Sequence, residues 1–87
     1  MALTIPRFGS TRASDPDYDP VLARIIDRVL IRVDGKSVFS PVAYNIDEGW
    51  VRALAYKRHR TGPITMAMRK GVVLEETLVG RVAARWR

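Results

Sequence analysis

A chain of 87 residues with 47% hydrophobic side chains can bury one small core, and it is too apolar to be disordered throughout. The absence of cysteine excludes disulfides, thiolate catalysis and cysteine-based zinc sites. Fifteen basic against nine acidic side chains give a net charge of +6, which favours an anionic partner.

The charge is unevenly placed. Residues 1–50 hold six basic and seven acidic side chains, a net of −1, whereas residues 51–87 hold nine and two, a net of +7. No apolar segment of signal-peptide length opens the chain, and none reaches the roughly 20 residues needed to span a bilayer. The expectation is a cytoplasmic protein without membrane insertion.

In chain order, residues 1–17 combine Gly9-Ser10-Thr11 with Asp15-Pro16-Asp17 and read as a flexible or extended arm, with Leu3, Ile5 and Phe8 able to dock as an edge strand. Asp19-Pro20 marks a helix start, because aspartate accepts free amide hydrogens at an N-cap and proline at the first helical position loses no bond. Val21, Leu22, Ile25 and Ile26 then predict an amphipathic helix over about residues 20–27.

The period changes to two at Val29, Ile31 and Val33, and Asp34-Gly35 signals a two-residue hairpin. The return strand is expected over residues 36–40, with Pro41 marking its end. Residues 42–46 supply another short strand, and Asp47-Glu48-Gly49 the turn after it. Trp50, Arg52, Leu54 and Tyr56 share one face of the following strand, opposite Val51, Ala53 and Ala55. The first set is either an aromatic and basic binding stripe or the cover of a twisted sheet.

Lys57, Arg58, His59 and Arg60 lead into the Gly62-Pro63 turn, Ile64 to Arg69 form a strand, and Lys70-Gly71 turns the chain toward Val72 and Glu75-Glu76-Thr77. The predicted fold class is therefore α+β: a short N-terminal amphipathic helix followed by a small antiparallel four- to five-stranded meander or partly closed barrel. Its parts are the arm at 1–17, a compact domain at 18–79 and a basic C-terminal tail at 80–87. In that tail Arg81 and Arg85 are spaced to share a helical face, and Trp86 between Arg85 and Arg87 can stack on a base, anchor in a protein groove or fold back on its own sheet.

Glu48-Gly49-Trp50-Val51 resembles an uncharacterised bacterial small-protein family, the domain of unknown function numbered 3297. The likeness extends back through Val33-Asp34-Gly35, Tyr18-Asp19 and Asp15-Pro16, and forward through Arg52, Lys57, Gly62-Pro63, Thr65 and Lys70-Gly71-Val72, covering residues 15–74. It implies a small cytoplasmic bacterial domain containing strands and brings no catalytic residue. The run from Ile26 to Ile31, in place of a two-glycine approach to the hairpin, and the Trp86 tail depart from the family pattern.

Neither a nucleophile relay nor a phosphate-binding glycine loop is present, and a lone His59 makes no metal cluster. Asp47, Glu48, Glu75 and Glu76 read as turn or solvated-face carboxylates. No cofactor, metal or catalytic residue is expected. The expected role is a non-enzymatic protein-interaction module, an adaptor or inhibitor that meets an acidic protein surface or assembly in a larger bacterial or phage-associated machine. RNA or DNA binding through a basic sheet and tail is the alternative, and a structural homo-oligomer a third. The candidate partner-binding residues are Trp50, Arg52, Tyr56, Lys57, Arg58, Arg60, Arg69, Lys70, Arg85, Trp86 and Arg87.

Overall fold

The computed structural model describes residues 4–58, 64–66, 68–69 and 72–87, and their side chains over 4–55 and 74–87. A short strand, β1 (Phe8–Ser10), precedes the helix α1 (Pro20–Ile25), which runs into a 3₁₀ turn at Ile26–Arg28. Asp19 starts α1 as its residue type predicts. Its backbone is extended, its carboxylate accepts the amides of Val21 and Leu22 at 2.9 and 3.3 Å, and Pro20 follows. Leu22 and Ile25 are buried, so the helix turns this pair inward and leaves Val21 largely outside.

After the 3₁₀ turn come β2 (Val29–Val33), β3 (Lys36–Ser37), β4 (Pro41–Asn45) and β5 (Trp50–Leu54). They are followed by β6 (Tyr56–Arg58), β7 (Ile64–Met66), β8 (Met68–Arg69), β9 (Val72–Val73), β10 (Glu75–Val79) and β11 (Val82–Trp86). Two antiparallel sheets result, one ordered β1-β4-β5-β10 and the other β11-β2-β3, with separate two-stranded ladders β6-β7 and β8-β9.

The α+β class stands, but the single four- to five-stranded meander or partly closed barrel does not, and a strand comes before the helix. The cause is β11. A meander pairs each strand with its neighbour in sequence, whereas β11 leaves β10 and pairs with β2, placing Val82 opposite Val33 and Trp86 opposite Val29. Arg81 and Arg85 therefore share a strand face, and the segment from Val82 to Trp86 folds back on its own sheet.

The β2–β3 hairpin forms where expected. Asp34 and Gly35 both have positive φ, 51° and 81°, the requirement of a type I′ turn. Its return strand is shorter than predicted. Ser40, at φ 51°, redirects the chain, and Pro41 opens β4 beside a register shift instead of closing β3. Proline has no N–H to give a ladder, so the first position of a strand accommodates it.

The core lies between the two sheets and α1. Leu22 and Ile25 meet Val29, Ile31, Val33 and Val82 from one sheet and Tyr44, Val51 and Ala53 from the other. Each fully buried aliphatic side chain contributes about 1.5–3 kcal/mol relative to exposure. The N-terminal segment closes one end: Ile5 packs against the core, Ser10 is fully buried, and Tyr44 donates its hydroxyl to the Pro6 carbonyl at 2.5 Å. At the crossing from β10 to β11, a Cβ on Gly49 would come 2.7 Å from the Gly80 carbonyl oxygen, so Gly49, at φ 77°, is required there.

Candidate nucleic-acid interface

Strand alternation sorts the predicted stripe as expected on its inner side, with Val51 and Ala53 buried. The outer side is a set of polar groups engaged with one another. Trp50 donates its indole N–H to Glu48 at 3.0 Å. Arg52 is ion-paired with Asp15, and its Nε lies 3.8 Å from Glu75, which also pairs with Arg12. Ser10 donates to Asp15 at 2.6 Å and accepts the Arg12 amide at 3.1 Å.

The Ser10 hydrogen bond, with further help from Arg52 and the Arg12 charge, holds the Asp15 carboxyl below its usual range, although burial opposes it more strongly than either arginine's charge supports it. This network fastens the loop after β1 to the four-stranded sheet, so Arg52 is a structural cation and its charge is already compensated. Asp47 is likewise held below its usual range by Arg7, which donates to it at 2.6 Å.

Tyr56, Lys57 and Arg58 belong to β6 and Arg69 to β8, while Arg60 and Lys70 lie outside the described residues. The remaining predicted residues, Arg85, Trp86 and Arg87, are in or beside β11 of the other sheet. The described part of the molecule therefore does not gather the predicted residues into one surface.

It assembles a different one. In β2, Val29, Ile31 and Val33 face the core, which leaves Leu30 and Arg32 on the outer face. The register places Ala83 opposite Arg32 and Arg85 opposite Leu30, while Val82 faces inward. Arg81, Ala83, Arg85 and Arg87 occupy alternate positions. The Arg87 amide donates to the Arg28 carbonyl at 2.9 Å, continuing the ladder past the strand end.

Five arginines thus gather on or beside the outer side of the β11-β2-β3 sheet: Arg32, Arg81, Arg85 and Arg87 by alternation, and Arg28, exposed in the 3₁₀ turn, through the bond of its carbonyl with the Arg87 amide. None of them forms an ion pair among the described residues, in contrast to Arg7, Arg12 and Arg52 on the other sheet. Arg32 and Arg81 line an open concavity of about 720 Å³ with Asp34, Gly35 and Ala83.

Arg28, Arg32 and Arg81 were not among the candidates drawn from the sequence. The signal for Arg81 was its odd-position spacing with Arg85 and Arg87, which a strand converts into one face. For Arg32 the signal was its alternation with Ile31 and Val33, whereas Arg28 lies in the 3₁₀ turn, where that alternation does not hold. The same parity divides the Arg85-Trp86-Arg87 tripeptide. Trp86 lies opposite buried Val29, on the inward side, and is 41% exposed at the end of the sheet.

A second surface feature is a groove of about 350 Å³ between the edges of β3 and β10, lined by Val33, Val38, Leu78 and Val79 with Asp34 and Lys36. Among the described residues, no three His, Asp or Glu side chains are grouped to hold a metal ion, and no helix is long and apolar enough to cross a membrane. Comparison of the chain with family models, curated proteins and solved structures finds no match.

Proposed function

We propose that this protein is a non-enzymatic module that binds the phosphate backbone of double-stranded nucleic acid through the outer face of the β11-β2-β3 sheet. The observation that carries this is the row of five arginines, Arg28, Arg32, Arg81, Arg85 and Arg87, without ion pairs among the described residues. Arginine presents a planar fork of donors suited to phosphate, and such contacts dominate sequence-independent affinity.

From the strand rise, Arg85 and Arg87 are roughly 6.6 Å apart along β11 and Arg81 and Arg85 roughly 13 Å. Their positions suit a repeating anion better than a single small one. The protein-adaptor role draws support from a separate feature, the groove at Val33, Val38, Leu78 and Val79, where Val79 is 75% exposed.

The test is fluorescence anisotropy of a labelled 20-base-pair duplex between 50 and 300 mM salt, a site size and range suited to counterion release. A slope of log affinity against log salt of roughly −4 is expected for four to five phosphate contacts. Arg85→Gln and Arg87→Gln each make that slope shallower by about one contact, whereas Arg24→Gln, on the exposed side of α1, leaves it unchanged. No binding at 50 mM salt, or an Arg24→Gln loss equal to that of Arg85→Gln, would overturn the proposal.

A further inference from the structure

The five arginines are not equivalent. Arg85 and Arg87 are exposed, but Arg32 is half-buried in the central strand, and its Nε is closed off from solvent without a hydrogen-bond partner among the described residues. Leaving a buried donor of a charged group unmatched is costly, and a bound acceptor removes that cost. Arg52 also has a buried unmatched Nε, but its guanidinium already sits between Asp15 and Glu75. Arg32 has no such carboxylate partner.

The residues around Arg32 are small. Ala83 is its cross-strand neighbour on one side and Ser37 on the other, and the Asp34–Gly35 turn closes the end of the concavity. A Cβ built on Gly35 meets nothing within 4 Å, so the space beside the turn is open. The charged groups lining this space are Arg32, Arg81 and Asp34. Asp34 accepts the Arg81 amide at 2.9 Å, which fixes its carboxylate at the rim. Lys36 lines the groove on the other side of the hairpin.

From this arrangement we infer that the Arg32–Arg81 concavity is a discrete subsite for one phosphodiester. The inference rests on the nucleic-acid proposal and names the contact that fixes its register. Two guanidinium groups against one carboxylate leave a single positive charge, which matches a diester monoanion better than the more highly charged free phosphate. When the Arg32 side chain turns toward a phosphate seated there, its Nε is uncovered and completes a side-on, two-bond contact together with one terminal nitrogen. The exposed arginines then attract the polymer, while Arg32 determines where it stops.

Two measurements test this. In the duplex assay at 150 mM salt, Arg32→Gln and Arg32→Lys are each expected to lose roughly tenfold in affinity. Arg32→Lys keeps the salt slope, because it keeps the charge and removes the two-bond geometry. Arg32→Lys equal to the unsubstituted protein overturns the subsite, since any cation then suffices.

Independently of how those variants fold, the Arg32 Nε–H resonance of the unsubstituted protein is followed by NMR during titration with dimethyl phosphate and, separately, inorganic phosphate. A saturable shift with the diester at lower concentration than with inorganic phosphate supports the inference. Equal shifts, a preference for inorganic phosphate, or no shift overturn it. If the duplex fails to bind while the diester shifts Arg32, the nucleic-acid proposal fails and the phosphodiester subsite remains. If the duplex binds with dependence on Arg85 and Arg87 but not on Arg32, the reverse holds.

Discussion

Replacing Tyr44 with Phe removes one oxygen from the most buried aromatic ring among the described side chains and leaves the rest of its packing in place. That oxygen donates to the Pro6 carbonyl at 2.5 Å, and the ring is fully buried against both sheets and α1. The lost hydrogen bond costs about 0.5–1.5 kcal/mol, and the bereft acceptor adds to this, less than its full penalty because Pro6 is only half-buried. A loss of about 1.5 kcal/mol at pH 7 corresponds to a drop in Tm of roughly 6–12 °C for a domain of this size.

The pH dependence makes the prediction specific. Burial, with a smaller effect of the Asp19 charge, pushes the Tyr44 hydroxyl up to about 12 from an ordinary value of 10.0. A group with a raised folded pKa stabilises fully below its unfolded value and loses that contribution as pH rises through the folded value. By pH 11 the unsubstituted protein has given up about 1.4 kcal/mol that the Phe variant never had. Chemical denaturation of both proteins between pH 8 and 11 should therefore show their stability curves converging near pH 11. Parallel curves, or equal stabilities at pH 7, would refute the assignment of Tyr44 as a buried donor to Pro6.

Gly80→Ala would place a Cβ 2.5 Å from one Asp34 carboxylate oxygen and 2.8 Å from the other, displacing an acceptor of the Arg81 amide. It should cost about 1–3 kcal/mol in a urea melt, and Asp34→Ala in the same chain should recover part of this; full additivity would show that the collision is absent. Asp15 has a folded pKa lowered chiefly by Ser10, so its contribution is present above its unfolded value and fades as pH falls through the folded one. Asp15→Asn should accordingly flatten the stability profile below about pH 4, and a profile parallel to the unsubstituted protein would contradict the network. Trp86→Ala should lower Tm while leaving the duplex salt slope intact, because Trp86 lies on the side of β11 opposite to the arginines; a shallower slope would place it in the binding face.

Local chemistry made several elements legible before any coordinates. Asp19 and Pro20 specify a helix start through groups no more than three residues away, and Asp34-Gly35 specifies a turn through its own backbone. The alternation of Val51 and Ala53 with Trp50, Arg52 and Leu54 also identifies the buried side of β5.

What was lost depended on partners remote in sequence. Val82 to Trp86 is compatible with a short helix or a strand until β2 supplies the ladder. Arg52 looked like a free cation because Asp15 is 37 residues away along the chain. The proposed face suffered most from this, since it draws arginines from both halves of the sequence. Arg28 and Arg32 come from the nearly neutral half and become part of the arginine row only when β11 arrives.

That row also governs what the sheet can do to itself. Among the described residues β11 pairs only with β2, so its other side is an open strand edge of the kind that invites a second chain to extend the sheet. Repulsion between arginines brought together from two copies opposes such growth while the protein is free. If the protein binds a long polyanion as proposed, neutralising those charges would remove this barrier where several copies are held side by side. Under the proposed function, sheet extension at this edge would thus depend on the template, with concentration on it setting the onset.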